Sequence, residues 1–497
     1  MANLWIKKPL ASLLSEAGDS EKSFKRTLGP WALIALGIGA IIGAGLFVRT
    51  AAAIADHAGP SVTLGFVVAA VGCAFAGLCY AEFASMIPIA GSAYTYSYAT
   101  MGEFVAWIIG WDLVLEYAVG AATVAIAWSE YLNKLLEYLG FRIPYEWCHS
   151  PFDKLHDASG AVIASGVVNL PAVFILLVLS LILIRGTRES AFFNGIVVVT
   201  KVAIVVLVIV LGWGFIDPAN HAVYIPESTT YTTPVGITHN YGGLMGILGA
   251  AGVVFFAFIG FDAVSTAAQE AKNPKRDMPI GILGSLVICT VLYILFSHVL
   301  SGLAPVDFFR DPSRGGEASV AAAITTYMPG YEWLAKAVTV AILAGFSSVI
   351  LVMLLGQSRV FYSMSRDGLV PPIFSAVHPK FRTPYKSNLL FFVFTGLFAA
   401  FVPGNIVGEM TSIGTLFAFI VVCAGVWIMR VKHPNLKREF RVPMVPVVST
   451  LGIVTCGAMI YGLGWANWTR LLAWLGLGLV LYFVYGIRHS KLNAPQK

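Results

Sequence analysis

Charged residues are scarce in this chain of 497 residues. Asp, Glu, Lys and Arg make up 12% of it, about half of the roughly 25% that is typical of soluble domains. Hydrophobic residues make up 58%. This balance excludes a disordered chain, a collagen-like fibre and an ordinary soluble enzyme.

Motifs for metal, disulfide or covalent chemistry are also missing. The six cysteines include no CxxC pair and the nine histidines no HExxH motif, so the sequence predicts neither a disulfide framework nor a metal site. No constellation of paired acids or of Ser and His lies in or near the apolar runs. We therefore expect a protein that is not an enzyme and that needs no cofactor.

Long apolar runs fill the chain instead. A transmembrane helix needs about 20 mostly apolar residues, and by this measure the sequence predicts an all-α membrane protein with 12 transmembrane helices. The polar start and the length of the first run exclude a cleaved signal peptide. The predicted spans are 31–54, 61–86, 103–133, 168–185, 191–214, 243–269, 280–303, 331–365, 387–403, 409–430, 446–463 and 468–488.

Lys and Arg are unevenly shared between the two alternating sets of loops. Most of the 32 lie in the set that includes the tails 1–30 and 489–497, and fewer, among them Arg49 and Arg310, lie in the other. Because positive loops stay in the cytoplasm, we expect a multi-pass protein of the plasma membrane with both termini cytoplasmic. The same bias explains the net charge of +6 without a nucleic-acid partner. Glu82 and Glu270, near cytoplasmic ends, are explained by pairing with basic loop residues.

Two of the predicted spans are interrupted. Span one carries four glycines between Gly37 and Gly45, and in span six Gly260 is followed closely by Asp262. A broken helix is tolerated in a bilayer where its freed backbone lines a cavity or is buried in protein. Freed N–H groups attract a carboxylate, and freed carbonyls accept from an ammonium group. Small-residue packing between helices is the alternative explanation of the glycines.

The two interruptions are five spans apart, so the helices that carry them run in opposite directions. Breaks at corresponding positions of two inverted halves indicate a transporter with its site at the membrane midplane. The sequence therefore predicts a first repeat over 31–214 (TM1–5), an inverted second repeat over 243–430 (TM6–10), and two further spans over 446–488.

Four stretches resemble a known family. They are GAIIGAGLF at 39–47, YAEFASMIP with GSAYTY at 80–96, FIGFD leading into QEAKNPKRDMP at 258–279, and GQSRVFYSMSRDGL at 356–369. Their order and spacing resemble the amino acid–polyamine–organocation superfamily, and within it a bacterial member of the cationic amino acid transporter family. The resemblance covers roughly 25–490 and implies a five-plus-five inverted-repeat core of the LeuT type with two appended spans.

The resemblance also implies a substrate site at the two breaks. It implies that the substrate carboxylate meets backbone N–H groups of Gly43, Ala44 and Gly45. It implies that the α-amino group meets carbonyls of Ile41, Phe256 and Ile259, and that the Phe256 ring is the outer gate. Without the resemblance, Phe256 could equally be a lipid-facing side chain.

Lys201 is a charge about ten residues inside the fifth span. A central charge costs roughly 2.5–3.5 kcal/mol on insertion scales, which marks it as a functional candidate; snorkelling to a span end is the alternative. In bacterial relatives a lysine at this place stands where sodium sits in sodium-coupled cousins. We carry the role of proton coupling to Lys201, with Asp262 as a second coupling residue, and expect no sodium. A helix cap is the alternative for Asp262.

Two further residues bear on the substrate side chain. Glu116 is the acid nearest the middle of span three; it lines the side-chain pocket or forms a structural hydrogen bond. Met353 in span eight fills volume in that pocket or simply packs in the core. Met353 favours small neutral substrates such as alanine, whereas Glu116 favours cationic ones.

The sequence thus predicts a secondary active transporter for proton-coupled uptake of L-amino acids by alternating access. Spans 1, 2, 6 and 7 rock against spans 3, 4, 8 and 9. An amino acid exchanger that uses the same site, and an amino acid sensor that moves nothing, are the alternatives. Membrane lipids are the other expected partners, and the oligomeric state, monomer or larger, stays open.

Overall fold

The computed structural model of the chain describes residues 3–9, 28–87, 91–156, 162–185, 191–233, 236–311, 319–381 and 383–493. Most of the predicted tail 1–30, the end of the tail 489–497 and the side chain of Glu270 lie outside these residues. The helices of the first half are α1 (Pro30–Ile41), α2 (Thr50–Ala53), α3 (Val62–Met86), α4 (Ser92–Thr100), α5 (Glu103–Val114), α6 (Gly120–Tyr138), α7 (Leu170–Arg185) and α8 (Ala191–Gly212).

The second half is helical as well. Its helices are α9 (Gly243–Val254), α10 (Pro274–Leu303), α11 (Val306–Arg310), α12 (Ser319–Tyr327), α13 (Glu332–Arg366), α14 (Tyr385–Phe401), α15 (Gly404–Lys432), α16 (Val445–Gly462), α17 (Trp465–Leu481) and α18 (Ile487–His489). Tighter or wider turns interrupt or extend them: π-helical at Gly45–Arg49, Ile54–Ala58, Leu115–Val119 and Tyr482–Gly486, and 3₁₀-helical at Phe255–Phe258 and Asp262–Glu270.

Within the described residues, nine helical runs are long and apolar enough to cross a membrane. Of three shorter apolar helices, α1 coincides with the first half of predicted span one, and α7 and α14 coincide with predicted spans four and nine. The run Gly45–Met86 joins the second half of span one to span two, because only a tight turn at Gly59, with φ +54°, separates them. The chain is a mostly helical, multi-pass membrane protein, as the apolar runs predicted.

Two short antiparallel hairpins lie in the loops 139–169 and 213–242, at what we call the hairpin end of the bundle. They are formed by β1 (Lys154–His156) with β2 (Val162–Ser165), and by β3 (Thr229–Thr232) with β4 (Thr238–Tyr241). The guanidinium of Arg310 lies 4.0 Å from the ring of Tyr231 and 4.5 Å from that of Tyr241. It also donates to the Ala55 carbonyl at 2.9 Å. The second hairpin is thereby held against the end of the first interrupted span.

The opposite end, with the loops 366–384 and 433–444, is called the basic end. There the Glu82 carboxylate on α3 accepts from Arg430 Nε and Nη2 at 2.8 and 2.7 Å and from the Val442 amide at 2.8 Å. Arg438 Nε lies 3.1 Å away, and the side chains of Glu82 and Arg438 are only 2% and 1% exposed. The expected pairing of Glu82 with basic residues is confirmed.

Replacing Glu82 by glutamine is expected to destabilise the protein by about 3–5 kcal/mol, because it leaves the buried Arg438 charge without its partner. Thermal unfolding of the purified protein in detergent measures the loss. The matched control is Glu137→Gln, which removes a half-exposed carboxylate 3.0 Å from Lys134 and is expected to cost less than about 1 kcal/mol. Equal melting curves for the two variants would contradict a stabilising role for the Glu82 pair.

Candidate functional site at the two interrupted helices

The first interruption is a short stretch of extended chain in span one. Helix α1 ends at Ile41, and Ile42 has φ −72° and ψ 103°. The helix resumes in the π-helical turn that begins at Gly45. Among the described residues, the amides of Gly43, Ala44 and Gly45 donate to no backbone carbonyl, as is usual for the first turn of a helix. Inside the bundle, three backbone donors therefore lack a backbone acceptor among the described residues.

The second interruption lies in span six. After the 3₁₀ turn Phe255–Phe258, Ile259 is extended with ψ 135°, and Gly260 has φ +115°. That conformation strains any residue with a Cβ atom, and a Cβ here would also stand 2.9 Å from the Ala40 carbonyl. The helix resumes at Asp262, whose carboxylate accepts from the Gly260 amide at 3.3 Å.

The two breaks are in direct contact. A Cβ atom added to Gly45 would lie 2.1 Å from the Cα of Ala257, so glycine is required for the two backbones to meet. The hydroxyl of Tyr293 on α10 lies 2.9 Å from both the Ile41 and the Ala257 carbonyl oxygens. Because the hydroxyl has one proton, it donates to one of these oxygens at a time. It ties the first break to the second.

The carbonyls of Ile41, Phe256 and Ile259, expected to meet an α-amino group, all lie at the breaks, and the first two have hydrogen-bond partners. The Ile41 oxygen accepts from Tyr293, and the Phe256 oxygen accepts from the Ile259 amide at 3.3 Å. The Phe256 ring is only 4% exposed, so the alternative of a lipid-facing side chain is wrong.

Lys201 links α8 to the last turn of α1. Its ammonium donates to the Gly39 and Ile42 carbonyls at 2.8 and 3.0 Å, two of the orphan acceptors that a helix end leaves. The residue is 3% exposed, so the snorkelling alternative is wrong. A Cβ at Gly345 on α13 would lie 2.7 Å from the lysine Cε; this glycine makes room for the lysine.

Acidic side chains gather where spans three and six meet. Tyr117 donates to the Asp262 carboxylate at 2.7 Å. Its neighbour Glu116 is fully buried, and neither carboxylate oxygen has a hydrogen-bond partner among the described residues. Asp112, one helical turn earlier, is also buried, and its two carboxylate oxygens likewise have no hydrogen-bond partner among the described residues. Since buried polar groups are nearly always satisfied, these oxygens are candidate contacts for a bound molecule.

Met353 lies on the face of α13 that packs on span three. Its sulfur is 3.3 Å from the place of a Cβ on Gly120, and the residue is 5% exposed. Gln357, one turn further on, has a buried amide without a partner in the described part of the chain. The predicted pocket residues Met353 and Glu116 are therefore both buried, Met353 against span three and Glu116 within it.

Sequence reasoning missed several residues of this centre. Tyr293, Tyr117 and Asp112 were not singled out, although a polar side chain within an apolar run is the signal that pointed to Lys201 and Glu116. Ala257 carries no such signal, because its contribution is a backbone carbonyl.

Apolar helices, two of them broken and meeting at a buried polar centre, define a multi-pass membrane protein with an internal polar site. The amino acid permease family matches residues 28–482, and the chain belongs to this family. The match confirms the resemblance to the amino acid–polyamine–organocation superfamily.

Individual relatives agree with this assignment. The chain is 42% identical to a branched-chain amino acid permease of Bacillus subtilis (strain 168) over 492 residues, 99% of each chain. It is 40% identical to a methylthioribose transporter of the same organism over 497 residues, 99% of this chain and 100% of that one. Vacuolar cationic amino acid transporter 4 of Arabidopsis thaliana is 33% identical over 436 residues, 88% of this chain and 68% of its own. These relatives are named as transporters and permeases, so the family confirms the expectation that the chain is not an enzyme.

Proposed function

We propose that the protein is a secondary active transporter that takes up L-amino acids together with protons across the plasma membrane. Twelve spans form a five-plus-five inverted repeat with two appended helices, both termini are cytoplasmic, and the hairpin end faces outward. The observation that carries the proposal is the direct contact of two broken helices, at Gly45 and Ala257. Beside it lie three amides that donate to no backbone carbonyl among the described residues.

This geometry suits a zwitterion. A carboxylate at the amides of Gly43, Ala44 and Gly45 gains several hydrogen bonds and the favourable end of a helix dipole. An ammonium group on the other side meets the carbonyls of Ile41, Phe256 and Ile259. The Tyr293 hydroxyl then donates to the Ala257 carbonyl, which leaves the Ile41 oxygen to the ammonium. Phe256 then covers the substrate as a gate toward the hairpin end.

Lys201 is the proposed proton carrier. While charged, its ammonium holds the last turn of α1 against α8 through the Gly39 and Ile42 carbonyls. Loss of the proton weakens that link and frees α1 to move with the rest of its rocking bundle. No sodium ion is needed, because the lysine supplies the cation at these carbonyls. Asp262, bound to Tyr117, is the second proposed coupling residue.

Uptake of labelled alanine, leucine and arginine into proteoliposomes tests the proposal. We expect accumulation above the external concentration with an inward proton gradient, and only equilibration without it. Sodium should have no effect. Uptake that ignores the gradient but requires amino acid inside the vesicles would show an exchanger instead, and saturable binding without any uptake would show a sensor.

Met353 is expected to act as a size filter for substrate side chains. Replacing it by alanine removes three heavy atoms beside Gly120 and should raise the ratio of arginine to alanine uptake by about tenfold, within the range for pocket contacts of this size. Met459→Ala is the control, because Met459 is also buried, at 0% exposed, but packs against Gly72 away from the breaks. An unchanged ratio in Met353→Ala would leave the residue with a packing role only.

A further inference from the structure

Arg49 is a buried cation that the proposed transport cycle does not use. It ends the π-helical turn Gly45–Arg49, which follows the first break, and it is 5% exposed. The distribution of Lys and Arg placed Arg49 in an outer loop, whereas the structure buries its side chain inside the protein. A guanidinium stays charged at any physiological pH, and a buried charge is costly unless it is compensated.

The surroundings of Arg49 compensate its charge only in part. One terminal nitrogen, Nη2, donates to the Gly404 carbonyl at 2.6 Å, and Cζ lies 5.7 Å from the centre of the Phe256 ring. Its Nε is buried and has no hydrogen-bond partner in the part of the chain that the structure describes. Within the described residues no carboxylate lies within ion-pair distance; the nearby Glu409 is paired with Arg470 at 2.9 Å.

The neighbouring helix is shaped around this guanidinium. A Cβ atom on Gly408 of α15 would lie 1.9 Å from Nη2 and 2.3 Å from Cζ. Any larger residue at 408 would displace the arginine. The guanidinium is thus held in a defined place, between α15 and the Phe256 ring. Its Nε–H group is the donor that no described residue accepts.

We infer that Arg49 binds the carboxylate of the substrate on its way from the hairpin end to the Gly43–Gly45 amides. The inference rests on the proposed function and identifies a residue that selects the substrate class. Arg49 follows Gly45 by about one helical turn, so a carboxylate passes from one set of donors to the next along the same helix. Guanidinium–carboxylate pairs are strong and directional. Arg49 therefore favours substrates that carry a carboxylate over neutral ones of similar size.

The test compares an amino acid with its own amide. Thermal stabilisation of the purified full-length protein in detergent is titrated with whichever of alanine, leucine and arginine the wild type takes up best, with the corresponding amino acid amide, and with methylthioribose. The variants are Arg49→Leu, which removes the charge, and Arg49→Lys, which keeps it without the planar fork. Arg142→Leu, in a loop with its side chain 68% exposed, is the control.

We expect Arg49→Leu to weaken binding of the amino acid by roughly tenfold to a hundredfold, as for the loss of one charged hydrogen-bonded pair. Binding of the amide should change by less than about threefold, and Arg49→Lys should lie between Arg49→Leu and the wild type. Retained amide binding also shows that the variant is folded.

Two results would overturn the inference while leaving amino acid transport intact. Equal losses for the acid and the amide would make Arg49 a structural element of the gate, and unchanged amino acid binding in Arg49→Leu would remove it from the path. Wild-type protein that is stabilised by methylthioribose and by none of the amino acids would overturn the proposed function, and the carboxylate inference with it.

Discussion

Lys201→Met is expected to abolish accumulation of amino acids driven by a proton gradient. Methionine keeps most of the length and volume of lysine, so the cleft beside Gly345 stays filled. The ammonium and its hydrogen bonds to the Gly39 and Ile42 carbonyls, at 2.8 and 3.0 Å, are lost. Hydrogen bonds to a charged group contribute about 1.5–3 kcal/mol each, enough to bias a two-state cycle strongly.

The measurement is uptake into proteoliposomes with and without an inward proton gradient. We expect the ratio of internal to external substrate to fall to about one in Lys201→Met, while exchange of labelled for unlabelled substrate persists. Exchange needs the binding site but no net proton movement, so it separates a coupling defect from a misfolded protein. Lys336→Ala, an exposed lysine on α13, is the control and should accumulate substrate like the wild type. If Lys201→Met still accumulated substrate above the external concentration, Lys201 would be only a structural link between α8 and α1.

Gly45→Ala is expected to reduce substrate binding by on the order of a hundredfold or more. The added Cβ would stand 2.1 Å from Ala257 Cα and 2.4 Å from its amide nitrogen, whereas non-bonded carbons rest at about 3.5–4.0 Å. Both of these atoms belong to the backbone, so no side-chain rotation relieves the clash. Overpacking costs about 1–3 kcal/mol even where side chains can shift, and here the two broken helices must separate.

Substrate-induced thermal stabilisation and initial uptake rates measure the effect. Gly43→Ala is the matched comparison within the same motif, because the nearest atoms to its Cβ belong to the Val349 side chain, at 3.1 Å, which can rotate away. We expect a change of a few-fold there. Gly457→Ala, where a Cβ meets nothing within 4 Å, should be neutral or slightly stabilising. Wild-type binding by Gly45→Ala would mean that the contact between the breaks is not needed for the site.

Much of the fold followed from local properties of the chain. Apolar runs located the membrane helices, because the bilayer sets their length and composition. Glycines located both interruptions. Glycine costs about 1 kcal/mol relative to alanine in a helix interior, so several glycines within one span indicate a break. The nature of the interruptions was not predictable: the 3₁₀ turn at Phe255–Phe258 and the π turn at Gly45–Arg49 depend on how the helices pack.

The buried polar centre at the two breaks could be predicted only in part from the sequence, for a physical reason. Lys201, Glu116 and Asp262 stand out in sequence because a charge inside an apolar run is costly wherever it points. Their partners do not stand out. The Gly39 and Ile42 carbonyls, the Tyr117 hydroxyl and the space at Gly345 become partners only when separate spans meet. Arg49 was misplaced for the same reason: its burial depends on Gly408, more than 350 residues away along the chain.

Sequence alone determined that this is a multi-pass membrane protein, which of its helices are interrupted, and where charge is forced into the membrane. Hydropathy, helix propensity and the cost of burying charge are local quantities, and each can be assessed from a short stretch of sequence. Tertiary structure alone decided that Gly45 meets Ala257 and that Tyr293 joins the two breaks. It also decided that Arg49 lies beside the Phe256 ring with an Nε–H group that no described residue accepts. Those facts depend on distances between atoms far apart in the chain, which only the packing of one helix on another sets.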